Sequence, residues 1–230
     1  ANDRAEQGWE NNVYSAGVGT RFEQYKDLYA SLGINASHDE LTAQSNATKS
    51  IKGQAGTFNE FNGAYGFSYD KRNRSFMPTS GYVIGFDQTI PFYADKNYIA
   101  NNFFSSTYKS LNENVVGAIK TRLQSVNGLN NDNVRLNKRK YLGPKQLRGF
   151  KQVGPRDGLD HIGGNYAAVV NLEASLPKLL PESTKTDVNV FLDFGNVWGV
   201  DYDESIDESS KIRSSVGTAA SWMSPLGPMT

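Results

Sequence analysis

The sequence predicts an all-β protein, the wall of an antiparallel transmembrane β-barrel. About nine segments alternate apolar residues with small or polar ones at the two-residue period of a strand. Each has about ten residues, which is the length that a tilted strand needs to cross a bilayer. The longest connections follow Ser37, Gln124 and Trp198 and fall at one end of the antiparallel order. Outer-membrane barrels have short turns at one side and long loops at the other, whereas a soluble sandwich has no reason to segregate its loops in this way.

Composition limits the classes of protein that fit. The 230 residues suit one domain or a piece of a larger one, and the chain does not open on a signal peptide, as expected of a mature form or an internal segment. Lysine plus arginine and aspartate plus glutamate both number 24, which gives no argument for binding nucleic acid. Without cysteine, neither a disulfide framework nor a thiolate metal site is possible. No apolar run is long enough for a transmembrane helix, but a mean hydropathy of −0.55 still permits a barrel, whose signal is alternation.

The predicted strands cover residues 13–21, 28–37, 58–69, 81–90, 98–108, 115–124, 165–175, 187–194 and 214–223. Segments 39–56, 91–96 and 199–210 are interpreted as loops. In the eighth strand we expect the apolar set to face lipid, namely Val188, Val190, Leu192 and Phe194. We expect Asn189 and Asp193 to face the lumen.

The long polar segment 127–163 contains the sequence that most needs an explanation, Gln146 to Phe150. Loops beyond about 12–15 residues without structure of their own are usually functional or disordered. Gly149 allows a tight turn directly after Arg148. Leu147 and Phe150 carry apolar surface that favours burial.

We therefore predict that segment 127–163 folds back inside the barrel and places Arg148 beside carboxylates of the wall. Glu173 and Asp193 are the expected partners, because both lie on predicted inward faces of the next two strands. The planar guanidinium suits carboxylates, and a charge in a partly dehydrated lumen needs such partners.

Catalysis and metal binding are weaker interpretations. Glu173 and Asp193 resemble a general acid/base pair only if Arg148 is ignored, and no nucleophile–base arrangement accompanies them, so neither an enzyme nor a cofactor is predicted. His161 has no second histidine or cysteine nearby. The acidic residues of segment 199–210 lack the spacing of a calcium loop, which favours a solvated loop.

Several motifs resemble those of the outer-membrane assembly barrels, the BamA family. The sequence Leu147-Arg148-Gly149-Phe150 is similar to the family's VRGF loop motif, with leucine in place of the usual valine. Segments 163–165, 171–173 and 191–198 resemble its following strands, and segment 76–81 resembles an upstream turn. After Trp222, a turn motif is closer to BamA than to its relative TamA, and it consists of Ser224, Pro225, Leu226, Gly227 and Pro228. The resemblance covers most of the chain and is weak over its first forty residues.

This resemblance implies a protein of the bacterial outer membrane that folds and inserts β-barrel proteins there without a cofactor. The implied partners are nascent outer-membrane β-barrel proteins, accessory assembly lipoproteins, periplasmic chaperones and the lipid bilayer, and no nucleic acid. Residues 1–230 would form one partial barrel domain, the sixth to fourteenth strands of a sixteen-stranded barrel, with segment 127–163 folded inward. The POTRA domains and the last two strands would be absent from it.

Other functions remain open. A related translocation or secretion barrel, TamA-like or a two-partner secretion transporter, would share the arginine loop but thread its substrate through the lumen. A passive porin has no need of an internally anchored loop. A β-sandwich binding module would be soluble without detergent.

Overall fold

In the part of the chain that the structure describes, eleven antiparallel strands form one large sheet in which the long strands pair in chain order, and the two strands that flank the longest loop pair with each other. The computed structural model describes residues 2–4, 8–184, 186–224 and 227–229. The nine long strands are β2 (Trp9–Tyr25), β3 (Leu28–Ala43), β4 (Gly56–Asp70), β5 (Gly81–Ala94), β6 (Tyr98–Asn112), β7 (Val115–Gly128), β10 (Tyr166–Leu176), β11 (Thr186–Trp198) and β12 (Arg213–Ser224). The short strands β1 (Asn2–Arg4) and β13 (Gly227–Met229) lie at the two edges, and β8 (Arg156–Asp157) pairs with β9 (Asp160–His161) inside the longest loop.

In the residues that the structure describes, helical structure is limited to short turns. They are α1 (Lys49–Lys52) and the 3-10 helices Leu136–Lys138, Glu182–Thr184 and Glu204–Ile206. Within the described ranges, no helix has the length and apolar character needed to cross a bilayer.

The predicted all-β class and the number of long strands are confirmed, but two segments predicted as loops are wrong in part. Strand β3 continues past Ser37 to Ala43, because Asp39 and Leu41 find buried positions on one face of the sheet. Strand β5 continues through Pro91 to Ala94. A shift in its register with β4 between Phe61 and Asn62 forms a bulge, where a residue without a backbone N–H is tolerated.

Alternation along β11 separates an inner face from an outer face of the sheet. We call inner the face that carries Asp193 and is covered by residues 129–165. Asn189 and Asp193 are 6% and 0% exposed, whereas Val190 and Phe194 are 43% and 38% exposed on the outer face. The alternation predicted for this strand is confirmed.

Loop lengths differ between the two ends of the sheet. The connections 44–55, 129–165 and 199–212 lie at one end, which we call the long-loop end. At the other end, connections 26–27 and 113–114 have two residues each, and 71–80 and 177–185 have ten and nine, whereas 95–97 at the long-loop end has three. The prediction that the three longest connections fall at one end is therefore confirmed.

The three long connections pack against one another at the long-loop end. Their shared core consists of Leu41, Ala47, Ile51, Leu136, Ile162 and Val200. Asp160 adds polar ties, because its carboxylate accepts hydrogen bonds from Trp9 Nε1 and Thr48 Oγ1, both at 3.0 Å. This packing fixes both ends of the longest connection before it crosses the inner face.

Candidate functional site

Backbone pairing directs the longest connection along the inner face. Lys140 forms an antiparallel bridge with Gly164, and Leu142 forms one with Val153. The chain between Leu142 and Val153 therefore forms a loop whose two ends are paired, and this loop contains the Arg148 motif.

An apolar cluster packs this loop against β10 and β11. Leu142, Leu147 and Val153 pack against the inward side chains Ala167, Val169 and Val197. Leu147 is fully buried, and Phe150 packs against the same cluster while partly buried. Both predicted apolar residues of the motif are thus placed against the wall.

Arg148 is held by two carboxylates of the wall. Its Nε and Nη2 donate to Oδ2 and Oδ1 of Asp193 at 2.8 and 2.6 Å, the two-point geometry that suits a guanidinium. Its backbone N–H also donates to Asp193 Oδ2 at 3.1 Å. A third side-chain nitrogen, Nη1, lies 2.9 Å from Oε1 of Glu173.

Charge at this cluster is balanced and largely removed from water. The side chains of Asp193 and Glu173 are 0% and 9% exposed, whereas that of Arg148 is 22% exposed. Lys120 of β7 supplies a second cation, with its Nζ 2.6 Å from Glu173. The Phe191 ring centroid lies 3.8 Å from Cζ of Arg148, within cation–π range. Two buried carboxylates thus face two cations, which offsets the cost of removing them from water.

Gly149 and Asn171 shape the turn of the motif. Gly149 has a φ of +84°, a conformation that glycine adopts without steric cost. Asn171 Nδ2 donates to the backbone carbonyl of Gln146 at 2.9 Å.

The turn motif after Trp222 is only partly described, because Pro225 and Leu226 lie outside the described residues. Within it, Ser224 of β12 pairs with Gly227 of β13, next to Pro228.

Three further cations of the long connection contact carboxylates that the sequence did not suggest. Arg135 pairs with Asp39, Lys138 with Glu60, and Arg139 with Asp201. Burial lowers the pKa of Arg135 below its usual range, an effect that Asp39 opposes. In the sequence, the only local signal was the group of basic residues around Leu136, and this signal does not identify their partners.

The acidic segment after β11 uses its carboxylates within the protein. Asp201 accepts from the backbone N–H of Val134, and Asp207 accepts from that of Gly199, at 2.8 and 2.6 Å.

His161 Nε2 lies 2.7 Å from Nη2 of Arg156. Over the described ranges, no cluster of three or more histidine, aspartate or glutamate side chains is placed to hold a metal ion.

Family comparison agrees with this architecture over the whole chain. Residues 1–230 match the Omp85 superfamily domain. The chain belongs to the Omp85 superfamily. This Omp85 chain is 28% identical over 209 residues to the outer membrane protein assembly factor BamA of Neorickettsia risticii (strain Illinois), which covers 87% of the chain and 28% of that protein.

Two solved structures are similar in fold. The crystal structure of BamA from Haemophilus ducreyi lacking POTRA domains 1–3 superposes with a TM-score of 0.83 at 22% identity, over 98% of this chain and 51% of that one. CdiB from Acinetobacter baumannii superposes with a TM-score of 0.59 at 12% identity, over 94% and 37%. The Omp85 chain is thus a wall of an outer-membrane β-barrel and spans about half, or less, of the proteins that it resembles. The predicted family, fold and location are confirmed.

Proposed function

We propose that this Omp85 chain belongs to a barrel that folds and inserts β-barrel proteins into the outer membrane. The observation that favours this proposal over a passive channel is the long connection, which Arg148 fastens to Asp193 and Glu173 on the inner face. A passive channel gains nothing from filling its lumen with a fastened loop. Similarity to a curated assembly factor, and a closer superposition on BamA than on CdiB, support the same function.

Such an activity requires no bond chemistry and no cofactor. A substrate strand adds to a sheet edge through backbone hydrogen bonds, and a barrel wall supplies the edge. The wall must keep its shape while the substrate pairs, and the fastened loop stiffens β10 and β11 from inside. Nascent outer-membrane β-barrel proteins are the substrates, the bilayer contacts the outer face, and periplasmic chaperones and accessory lipoproteins deliver and assist.

Reconstitution tests this function. The full-length protein would be placed in liposomes and supplied with an outer-membrane β-barrel substrate that has been unfolded in urea. Substrate folding would be followed by heat-modifiability on gels and by protease resistance. We expect faster folding than in empty liposomes or in liposomes that carry a passive porin. Equal rates in all three would overturn the proposal.

A translocation barrel is the second candidate, because the chain also superposes on CdiB over 94% of its length. The same vesicles separate the two functions. Substrate recovered folded in the bilayer supports insertion, whereas substrate recovered soluble on the far side of the membrane supports translocation.

A further inference from the structure

A second polar cluster lies on the inner face of β3 and β4, away from Arg148. At its centre Arg135 pairs with Asp39, and their side chains are only 7% and 5% exposed. Both side chains are therefore less exposed to solvent than that of Arg148, which is 22% exposed.

Several contacts surround this pair. Asp39 Oδ2 accepts from Arg135 Nη2 and from Asn137 Nδ2. Arg135 Nη1 donates to the carbonyl of Gln54 at 2.9 Å, and its Cζ lies 3.3 Å from the ring centroid of Phe58. Among the described residues, the buried Oδ1 of Asp39 has no hydrogen-bond partner, so the carboxylate depends on the two donors from the long connection.

A second ion pair extends the cluster onto β4. Lys138 contacts Glu60, and Glu60 Oε1 also accepts from Ser37 Oγ at 2.7 Å. The ammonium of Lys138 lies 5.4 Å from the ring centroid of Tyr98 on β6. The contacts of Lys138 thus reach β4 and β6.

The two clusters are separated across the sheet. Strands β5, β6 and β7 lie between β4, which carries Glu60, and β10, which carries Glu173, and at about 4.8 Å per strand this places the two sets of carboxylates roughly 19 Å apart along the sheet. Only the outlying contacts of the two clusters, Tyr98 of β6 and Lys120 of β7, lie on neighbouring strands. The same connection therefore contacts carboxylates at two separate places on the wall.

We propose that Arg135 and Lys138 form a second anchor, independent of Arg148, which makes the long connection a tie across the inner face between β3–β4 and β10–β11. Arg135 and Lys138 are positioning residues in this role. Removing Asp39 leaves a buried guanidinium without its counter-charge, and the segment around it then opens locally. The tie deepens the proposed function, because it rests on the wall needing a fixed shape during assembly.

Hydrogen exchange of the full-length protein in detergent or nanodiscs tests the second anchor. In Asp39→Asn we expect amide exchange in residues 134–140 to accelerate about tenfold or more, with little change in residues 143–150. Asp193→Asn should give the reverse pattern. Glu113→Gln is the matched control, because that side chain is 92% exposed in a turn at the opposite end. Exchange in residues 134–140 that is the same in Asp39→Asn and Glu113→Gln would overturn the proposal.

A double-mutant cycle distinguishes a specific pair from general destabilisation. If Arg135 and Asp39 act through each other, Arg135→Gln with Asp39→Asn should exchange no faster than the worse single variant. Arg135→Gln with Arg148→Ala should instead show additive effects, because the clusters share no partner. Additive effects in the first cycle would refute the pairing, and strong coupling in the second would refute the independence.

Failure of this inference and failure of the proposed function are distinguishable. If Asp39→Asn exchanges like the control while Arg148→Ala loses assembly, only the second anchor is wrong. If the exchange pattern appears as expected but the wild-type protein assembles no substrate, the second anchor stands and the function is wrong.

Discussion

Leu142 of the long connection occupies the space that a side chain on Gly195 would need. A Cβ built on Gly195 would lie 2.8 Å from Cδ1 of Leu142 and 3.4 Å from Cδ1 of Leu147. Glycine at this position of β11 therefore forms a notch in which the connection rests.

Gly195→Ala should lift the connection from the wall. Overpacking of this kind costs about 1–3 kcal/mol, and we expect a lower unfolding midpoint and faster hydrogen exchange in residues 142–153. Gly33→Ala is the control, because a Cβ there would lie 3.5 Å from its nearest atom, which is ordinary contact. Equal stability of the two variants would show that the notch does not hold the connection.

A charged side chain introduced on the outer face should destabilise the protein in the membrane. Val190 is 43% exposed on that face of β11, and a lysine facing lipid near mid-bilayer costs about 2–4 kcal/mol. We expect Val190→Lys to lower the yield of folded protein in liposomes. Ser31→Lys, which would face the inner cleft of ≈ 700 Å³ lined by Asp70 and Asp87 together with Arg21 and Arg72, should lower the yield far less. Tolerance of Val190→Lys together with failure of Ser31→Lys would reverse the assignment of the faces.

Acid should weaken the loop after β11. Burial raises the pKa of Glu208, but hydrogen bonds from Arg213 and Lys211 outweigh it and hold the pKa below its usual range. Because the folded value is lower than the unfolded one, this stabilisation is complete above the ordinary glutamate range and is lost as pH falls through the lowered value. The difference in unfolding midpoint between wild type and Glu208→Gln should therefore be largest near neutral pH and vanish in acid. A difference that grows on acidification would contradict the sign of the shift.

Strand faces were predictable because alternation is local. In β11 the order of apolar and polar residues sufficed to place Asp193 inward and Phe194 outward. Strand ends were less predictable, since Asp39 is polar and its buried counter-charge, Arg135, lies 96 positions away. Pro91 likewise lies within a strand because the next residue of β5, Phe92, forms a bulge that interrupts the pairing with β4.

The motif around Arg148 could be singled out because Gly149 and Phe150 follow it directly. Arg135 and Lys138 have no such signature and lie in a segment rich in basic residues, of which only some are paired with carboxylates. Which of these becomes buried depends on where the connection crosses the sheet. The crossing is set by the packing of Leu136 at the long-loop end, and that contact joins segments distant in sequence.

Arg148 is the residue on which the proposed function depends most directly. Arg148→Ala would leave Asp193 buried without its counter-charge, a loss on the order of 3–5 kcal/mol that water in the lumen should reduce. Arg148→Lys should restore part of the loss, because an ammonium carries the charge but lacks the planar fork. Arg122→Ala is the matched control, since Arg122 is an exposed arginine on the inner-face side of β7.

The decisive measurement is the rate at which each full-length variant folds a β-barrel substrate in liposomes, scaled to the amount of properly folded variant. We predict a loss of about tenfold or more for Arg148→Ala, an intermediate rate for Arg148→Lys and the wild-type rate for Arg122→Ala. A folded Arg148→Ala variant that assembles substrate at the wild-type rate would contradict the account.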